Sequence, residues 1–193
     1  MRRLLLVSSF TFLLVFVAIS SAVSRETARE AVLSGRVFAP IGYREKVREL
    51  PLRNAQVMVL DVRTGEVVAT SSTDMAGRYE VTVSVPGVYL LEIRKGNLCL
   101  LDVSGRIRGE RTYDLGFVDT RSTALTLVLL ELFKNTSDPA QVVYFTSPRV
   151  LKTSDFKEFT RRVWDVLLGQ EDPTKDPGIL EAARNLALLF PTS

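Results

Sequence analysis

The chain contains no histidine and a single cysteine among its 193 residues. Without imidazole, Ser-His-Asp and Cys-His catalysis and most zinc sites are excluded. Cys99, being alone, cannot close an intramolecular disulfide even in an oxidising compartment. It lies in the apolar run Leu98-Cys99-Leu100-Leu101, which points to a buried, inert thiol. No glycine-rich phosphate loop precedes a helix. The carboxylates are scattered and form no acid/base pair. Asp74 has only Asp61 as a neighbouring oxygen donor, too few for calcium. These absences predict a protein that is not an enzyme and carries no metal or cofactor.

Charge of one sign is also lacking. Lys and Arg number 25 against 22 Asp and Glu, and without Arg2 and Arg3 the balance is 23 against 22. A nucleic-acid binder needs a concentrated basic surface, so nucleic acid is not expected as a partner. The long apolar run is confined to the start. Met1-Arg2-Arg3 leads into Leu4–Ile19, then Ser20, Ser21 and Ala22, the pattern of a secretory signal with cleavage after Ala22. An uncleaved anchor is the alternative, although the run is short against the roughly 20 residues a span requires. In that case alone the chain would touch a membrane. No cysteine adjoins the cleavage point, which excludes a lipoprotein anchor. The expected location is secreted or periplasmic.

From Val32 to Val118 the pattern is β. Tyr79, Val81, Val83 and Val85 alternate with polar neighbours, and Tyr89, Leu91 and Ile93 do the same. Arg63-Thr64-Gly65 reads as a hairpin turn. Asp74 can accept from the backbone ahead of it, Gly77 suits positive φ, and Pro86-Gly87 suits a type II turn. Tyr79 and Tyr89 are placed to bury their rings with each hydroxyl reaching a partner. About seven strands are expected, with no helix-length segment between them, so a sandwich fits better than βαβ units. Val23–Ala31 reads as a leader and Pro40–Pro51 as a polar loop.

After Val118 the character changes. Asp119-Thr120-Arg121-Ser122 offers caps for an apolar helix, Thr123–Phe133, which should lie between layers. Asn135–Pro148 reads as a loop with a short strand at Val142–Phe145. Asp155 with Glu158 predicts a capping-box start to a second helix, ended by Gly169. Asp176-Pro177 opens a third, with Ile179, Ala183, Leu186 and Phe190 along one face. The division is therefore a signal at 1–22, a β-sandwich at 32–118 and a C-terminal helical cap of about three helices at 119–193.

Four motifs stand in order within the β region. They are Gly35-Arg36-Val37, Asn54-Ala55-Gln56-Val57, Thr73-Asp74-Met75-Ala76-Gly77-Arg78-Tyr79, and Pro86-Gly87-Val88-Tyr89. On these residues, the stretch from about Leu33 to Val118 resembles the carboxypeptidase regulatory-like module. That is a transthyretin-like, seven-stranded β-sandwich related in shape to starch-binding-like and collagen-adhesin B-type repeats. The resemblance covers under half of the chain and implies no peptidase activity. The collagen-adhesin relation would suggest a Lys–Asn isopeptide bond assisted by Glu92, but the first strand has Arg36 and no lysine, so no such bond is expected.

The candidate ligand surface consists of Arg94, Arg106, Arg108 and Arg111, with Lys95, around the last two inter-strand connections. An anionic sugar, phosphate or lipid head group could bind there, or the charges could simply be solvated turns balanced by Asp102, Glu110 and Asp114. Tyr43, in the Pro40–Pro51 loop, is the candidate for stacking on a sugar. Trp164 is expected to pack its helix. The function these features imply is binding or scaffolding in the cell envelope, with an envelope protein or a glycan as partner. The rivals are a carbohydrate-binding protein of starch-binding-like type and, less favoured, an enzyme of unknown class.

Overall fold

The computed structural model describes residues 29–43 and 46–191, and the side chains of these residues outside 42–47. The expected signal segment lies outside the described residues. Among the described residues eight strands form two four-stranded sheets. In the first sheet β1 (Glu30–Tyr43) pairs antiparallel with β2 (Lys46–Pro51) and β5 (Arg78–Ser84), and parallel with β8 (Thr112–Val118). The second has the order β4 (Val67–Ser72), β3 (Gln56–Asp61), β6 (Tyr89–Lys95), β7 (Leu98–Val103). Strict alternation in β5 buries Tyr79, Val81 and Val83. Val57, Val59, Leu91, Ile93 and Leu100 of the second sheet are buried with Leu33 and Val37 of the first in one continuous core.

The turn residues act as expected. Asp61 Oδ1 accepts from the amides of Arg63 and Thr64, and Gly65 has φ 71°. Asp74 Oδ1 accepts from Ala76 and Arg78, at 2.8 Å each. Gly77 has φ 72°, and a Cβ there would stand 2.6 Å from the Val37 carbonyl oxygen. Thr73, the first residue of that motif, is buried; its hydroxyl donates to Leu52 O and accepts from Ala55 N, tying the start of β3 to the end of β4. Pro86-Gly87 is different from expectation. Gly87 lacks the positive φ that a type II turn demands and instead bridges Ile107 through both backbone groups. A Cβ on Gly87 would meet the Tyr89 ring at 2.3 Å, so close packing of that ring accounts for the glycine. The Tyr89 hydroxyl donates to Ser84 O, whereas the buried Tyr79 hydroxyl has no partner among the described residues.

The strand count corrects the expectation of seven. Pro40–Tyr43 continues β1, and β2 pairs back onto it with Ile41 opposite Arg48 and Pro40 opposite Glu49. The charged residues of β2 hide it in the sequence, because this hairpin is exposed at Arg48 and Leu50 and needs no apolar face there. β1 also begins at Glu30, inside the stretch expected to be a leader.

The helical part follows. α1 (Thr120–Phe133) is capped by Asp119, which accepts from Ser122 N while Ser122 Oγ accepts from Asp119 N. It packs on β7 and is covered by α4 (Ser154–Leu168) and α5 (Pro177–Ala187), so it lies between layers as its all-round apolar character requires. α4 also reaches β1. The cap of α4 is Thr153, accepting from Phe156 N, and not Asp155. Asp176 caps α5 as expected. The 135–148 stretch contains no strand. It holds α2 (Pro139–Gln141), a π-helical turn (Val142–Thr146) and the start of α3 (Ser147–Val150). Asp138 caps this run, accepting from Ala140 N, and Pro139 stands in its first turn, so local capping overrides the β propensity of Val142-Val143-Tyr144-Phe145.

Candidate functional site

The arginines singled out from the sequence separate into two places. Arg94 and Lys95 end β6, whereas Arg106, Arg108 and Arg111 lie in the β7–β8 connection. Successive connections in an antiparallel run fall at opposite ends of the strands, so six residues of β7 hold the two groups about 20 Å apart. At the first place both cations are engaged, Arg94 by carboxylates and Lys95 by a backbone carbonyl. Arg94 is ion-paired with Glu92 and, at 2.9 Å, with Asp172, and Lys95 Nζ donates to Arg53 O at 2.7 Å. Cys99, opposite Arg94 in register, is fully buried, and that burial pushes its thiol up to about 12. This end of the sheet is a structural clasp. Tyr43 closes β1, and its side chain lies outside the described residues.

The second place is a cleft of about 570 Å³. Gly105, Arg106 and Arg108 form one wall; Asp138, Gln141, Val143, Tyr144 and Phe145 form the other. Arg106 Nη2 donates to both carboxylate oxygens of Asp138 at 2.6 Å, which clamps the walls together. The same bonds hold the Asp138 carboxyl below its ordinary range. Arg108 is exposed, and its guanidinium has no carboxylate partner among the described residues. Arg111 lies 4.6 Å from the centroid of the Tyr113 ring. The Tyr113 hydroxyl in turn accepts from the amides of Arg108 and Gly109, and those bonds hold its pKa below the ordinary phenol value. The ring therefore braces the connection that carries all three arginines.

The opposite wall was missed from the sequence. Tyr144 and Phe145 are 75% and 64% exposed, with ring centroids 5.0 Å apart and planes at 83°. The π-helical turn explains this, since it buries Val142 and Thr146 and leaves the two consecutive aromatics outside. Such turns are frequent at functional sites. The available signal was Asp138-Pro139, a helix start that conflicts with a strand. Trp164 is half-buried on α4. Among the described residues no group of three or more acidic or cysteine side chains could hold a metal, and no helix is long and apolar enough to cross a membrane.

No family model and no curated protein matches the chain. Several solved structures are similar to part of it, three of which follow. A 9R-lipoxygenase from Cyanothece PCC8801 is 18% identical over 47% of this chain and 16% of its own, with a TM-score of 0.30. A DUF3823 family protein from Parabacteroides merdae is 20% identical over 46% of each chain, with a TM-score of 0.32. The shaft pilin SpaA from Lactobacillus rhamnosus GG, as a double mutant, is 12% identical over 48% of this chain and 49% of its own, with a TM-score of 0.29. The chain thus spans under half the length of each. The β-rich character of the domain rests on its own two sheets.

Proposed function

We propose that this chain is a non-catalytic binding or scaffolding module of the cell envelope, with the β7–β8 cleft as its contact surface. The observation that carries the reading is the exposed Tyr144–Phe145 pair facing an arginine, Arg108, that no carboxylate neutralises. Exposed aromatics beside arginine are the composition of an interaction hot spot. The Met1–Ala22 leader supports a location outside the cytoplasm. The four motifs between Gly35 and Tyr89 support a carboxypeptidase regulatory-like sandwich, with Asp74, Gly77 and Tyr89 serving the fold and not a site. The lack of histidine, which removes Ser-His-Asp and Cys-His chemistry, supports the absence of catalysis.

The test combines three measurements. Fractionation of cells expressing the full chain, with intact mass, should find a secreted protein beginning at Val23. Envelope pull-downs with the wild type and with Tyr144→Ala/Phe145→Ala should retain a partner only with the former. Reproducible turnover of any generic ester, peptide or glycoside substrate by the purified protein would overturn the non-catalytic part.

A further inference from the structure

Building on the reading of this cleft as a binding surface, we infer that its occupant is an extended polypeptide segment carrying a carboxylate next to a large apolar side chain. Arg106 is spent on Asp138, so Arg108 is the cation on that wall free to meet an incoming acid. The opposite wall offers apolar area, with half-buried Val143 lining the cleft beside Tyr144 and Phe145. An acid and an apolar side chain on one ligand would satisfy both walls at once.

Ring geometry favours a side chain over a sugar. Two rings at 83° present an edge against a face, a notch that accepts an aliphatic or aromatic group. A sugar would stack on a ring face, and in this pair the edge of one ring covers a face of the other. Backbone chemistry points the same way. Ile107 spends its N–H and C=O on Gly87, but the amides of Gly105 and Arg106 have no partner among the described residues. Open space surrounds the Cα of Gly105, so another main chain can approach it closely. Free main-chain donors beside side-chain pockets are the means by which extended peptides are held.

The experiment measures fluorescence anisotropy of labelled peptides against the purified protein. The probes are an extended Glu-Val-Glu-Leu repeat, the same peptide with Gln or Lys for Glu, an oligouronate and a neutral oligosaccharide. The acidic peptide should bind, weaken with added salt, and lose about tenfold or more in affinity with Arg108→Glu or with Tyr144→Ala/Phe145→Ala. Both variants alter exposed side chains, and circular dichroism confirms their fold. Equal binding of the Glu and Lys peptides, or an unchanged affinity in Arg108→Glu, overturns the inference. Saccharide binding lost in Tyr144→Ala/Phe145→Ala, without peptide binding, overturns the polypeptide class and leaves the cleft as a binding site. Failure of every probe to bind overturns both.

Discussion

Arg94 Nη1 donates to Asp172 at 2.9 Å across 78 residues of sequence, joining β6 to the segment between α4 and α5. Asp172 is buried and also accepts from the amide and hydroxyl of Thr174. Burial alone would raise its carboxyl, but the Thr174 bonds and Arg94 outweigh that and hold it below the ordinary value. Asp172→Ala leaves Arg94 with Glu92 alone and should cost about 2–4 kcal/mol. The only tryptophan, Trp164, lies on α4 and reports on the helices, while circular dichroism near 218 nm reports on the sheets. Denaturation followed by the two signals should give coincident transitions, both shifted. A shift in the fluorescence alone would show that the helices unfold apart from the sandwich.

Removal of Thr153–Ser193 takes away α4 and α5, which cover α1. Leu127, Val128, Leu129 and Leu132 of α1 are buried in the full chain, so truncation exposes a contiguous apolar surface. The expected outcome is aggregation or a lowered melting temperature, read by size-exclusion chromatography and thermal denaturation. A soluble monomer with an unchanged midpoint would contradict the packing role.

The parts of this fold legible in the sequence are those governed by local chemistry. Asp61, Asp74 and Gly77 close turns with their own neighbours, and the alternation in β5 places three side chains in the core. The β2 hairpin and the 138–150 helical run escaped because tertiary context decides them. Arg48 and Glu49 look like loop residues until β1 lies alongside, and Val142-Val143-Tyr144-Phe145 looks like a strand until Asp138 caps the turn before it. Of the candidate site, Arg106 and Arg108 were legible as charges. Their separation from Arg94 follows from strand direction, and their aromatic neighbours come from a segment whose residues read as a strand but form a π-helical turn.

Asp102 should give the protein a pH-dependent stability. It pairs with Leu91 in register, a residue wholly inside the core, so its side chain shares the inward face of β7. Burial, with the Asp119 charge nearby, pushes its carboxyl up to about 7, against one bond from Val103 that lowers it. Across the interior, Tyr79 feels Asp102 and Asp114, and its hydroxyl is also displaced upward, first by burial. For a raised carboxyl the folded state holds the proton more tightly, so stability is fullest below about pH 4 and falls as pH rises to about 7. Asp172 acts oppositely, losing its contribution as pH falls through its lowered value. Melting temperature should therefore peak near pH 4–5. Asp102→Asn should flatten the neutral side, with a gain of up to about 4 kcal/mol at pH 8. A melting temperature that rises from pH 5 to 8 in the wild type would refute this assignment.

Gly35 and Tyr79 are coupled by contact. A Cβ on Gly35 would stand 2.8 Å from the Tyr79 hydroxyl and 2.9 Å from the Gly116 carbonyl. Gly35→Ala should cost about 1–3 kcal/mol through overpacking. Tyr79→Phe removes a buried hydroxyl that has no partner and should be neutral or stabilising by about 1 kcal/mol. The double variant should recover part of the loss, since the Gly116 carbonyl stays in place. Chemical denaturation of the four proteins as a double-mutant cycle measures the coupling, and strict additivity would exclude it.

Thr123 shows how the helices protect the sandwich. β7 ends its sheet, and the edge of a sheet is a template for unwanted pairing. Here the Leu101 amide donates to Thr123 Oγ1 at 3.0 Å, and Ser122 Oγ donates to Leu101 O at 3.0 Å, so α1 covers the edge through two side chains. Thr123→Val keeps the volume and removes the acceptor, leaving a buried amide unsatisfied. The expected cost is about 1–3 kcal/mol, with faster hydrogen exchange at Leu101. Ser122→Ala should cost less, because Ser122 is only half-buried and the Leu101 carbonyl keeps Thr123 Oγ1 as a donor at 3.4 Å. Equal protection of the Leu101 amide in Thr123→Val and wild type would show that α1 packing alone, without the hydroxyl, shields this edge.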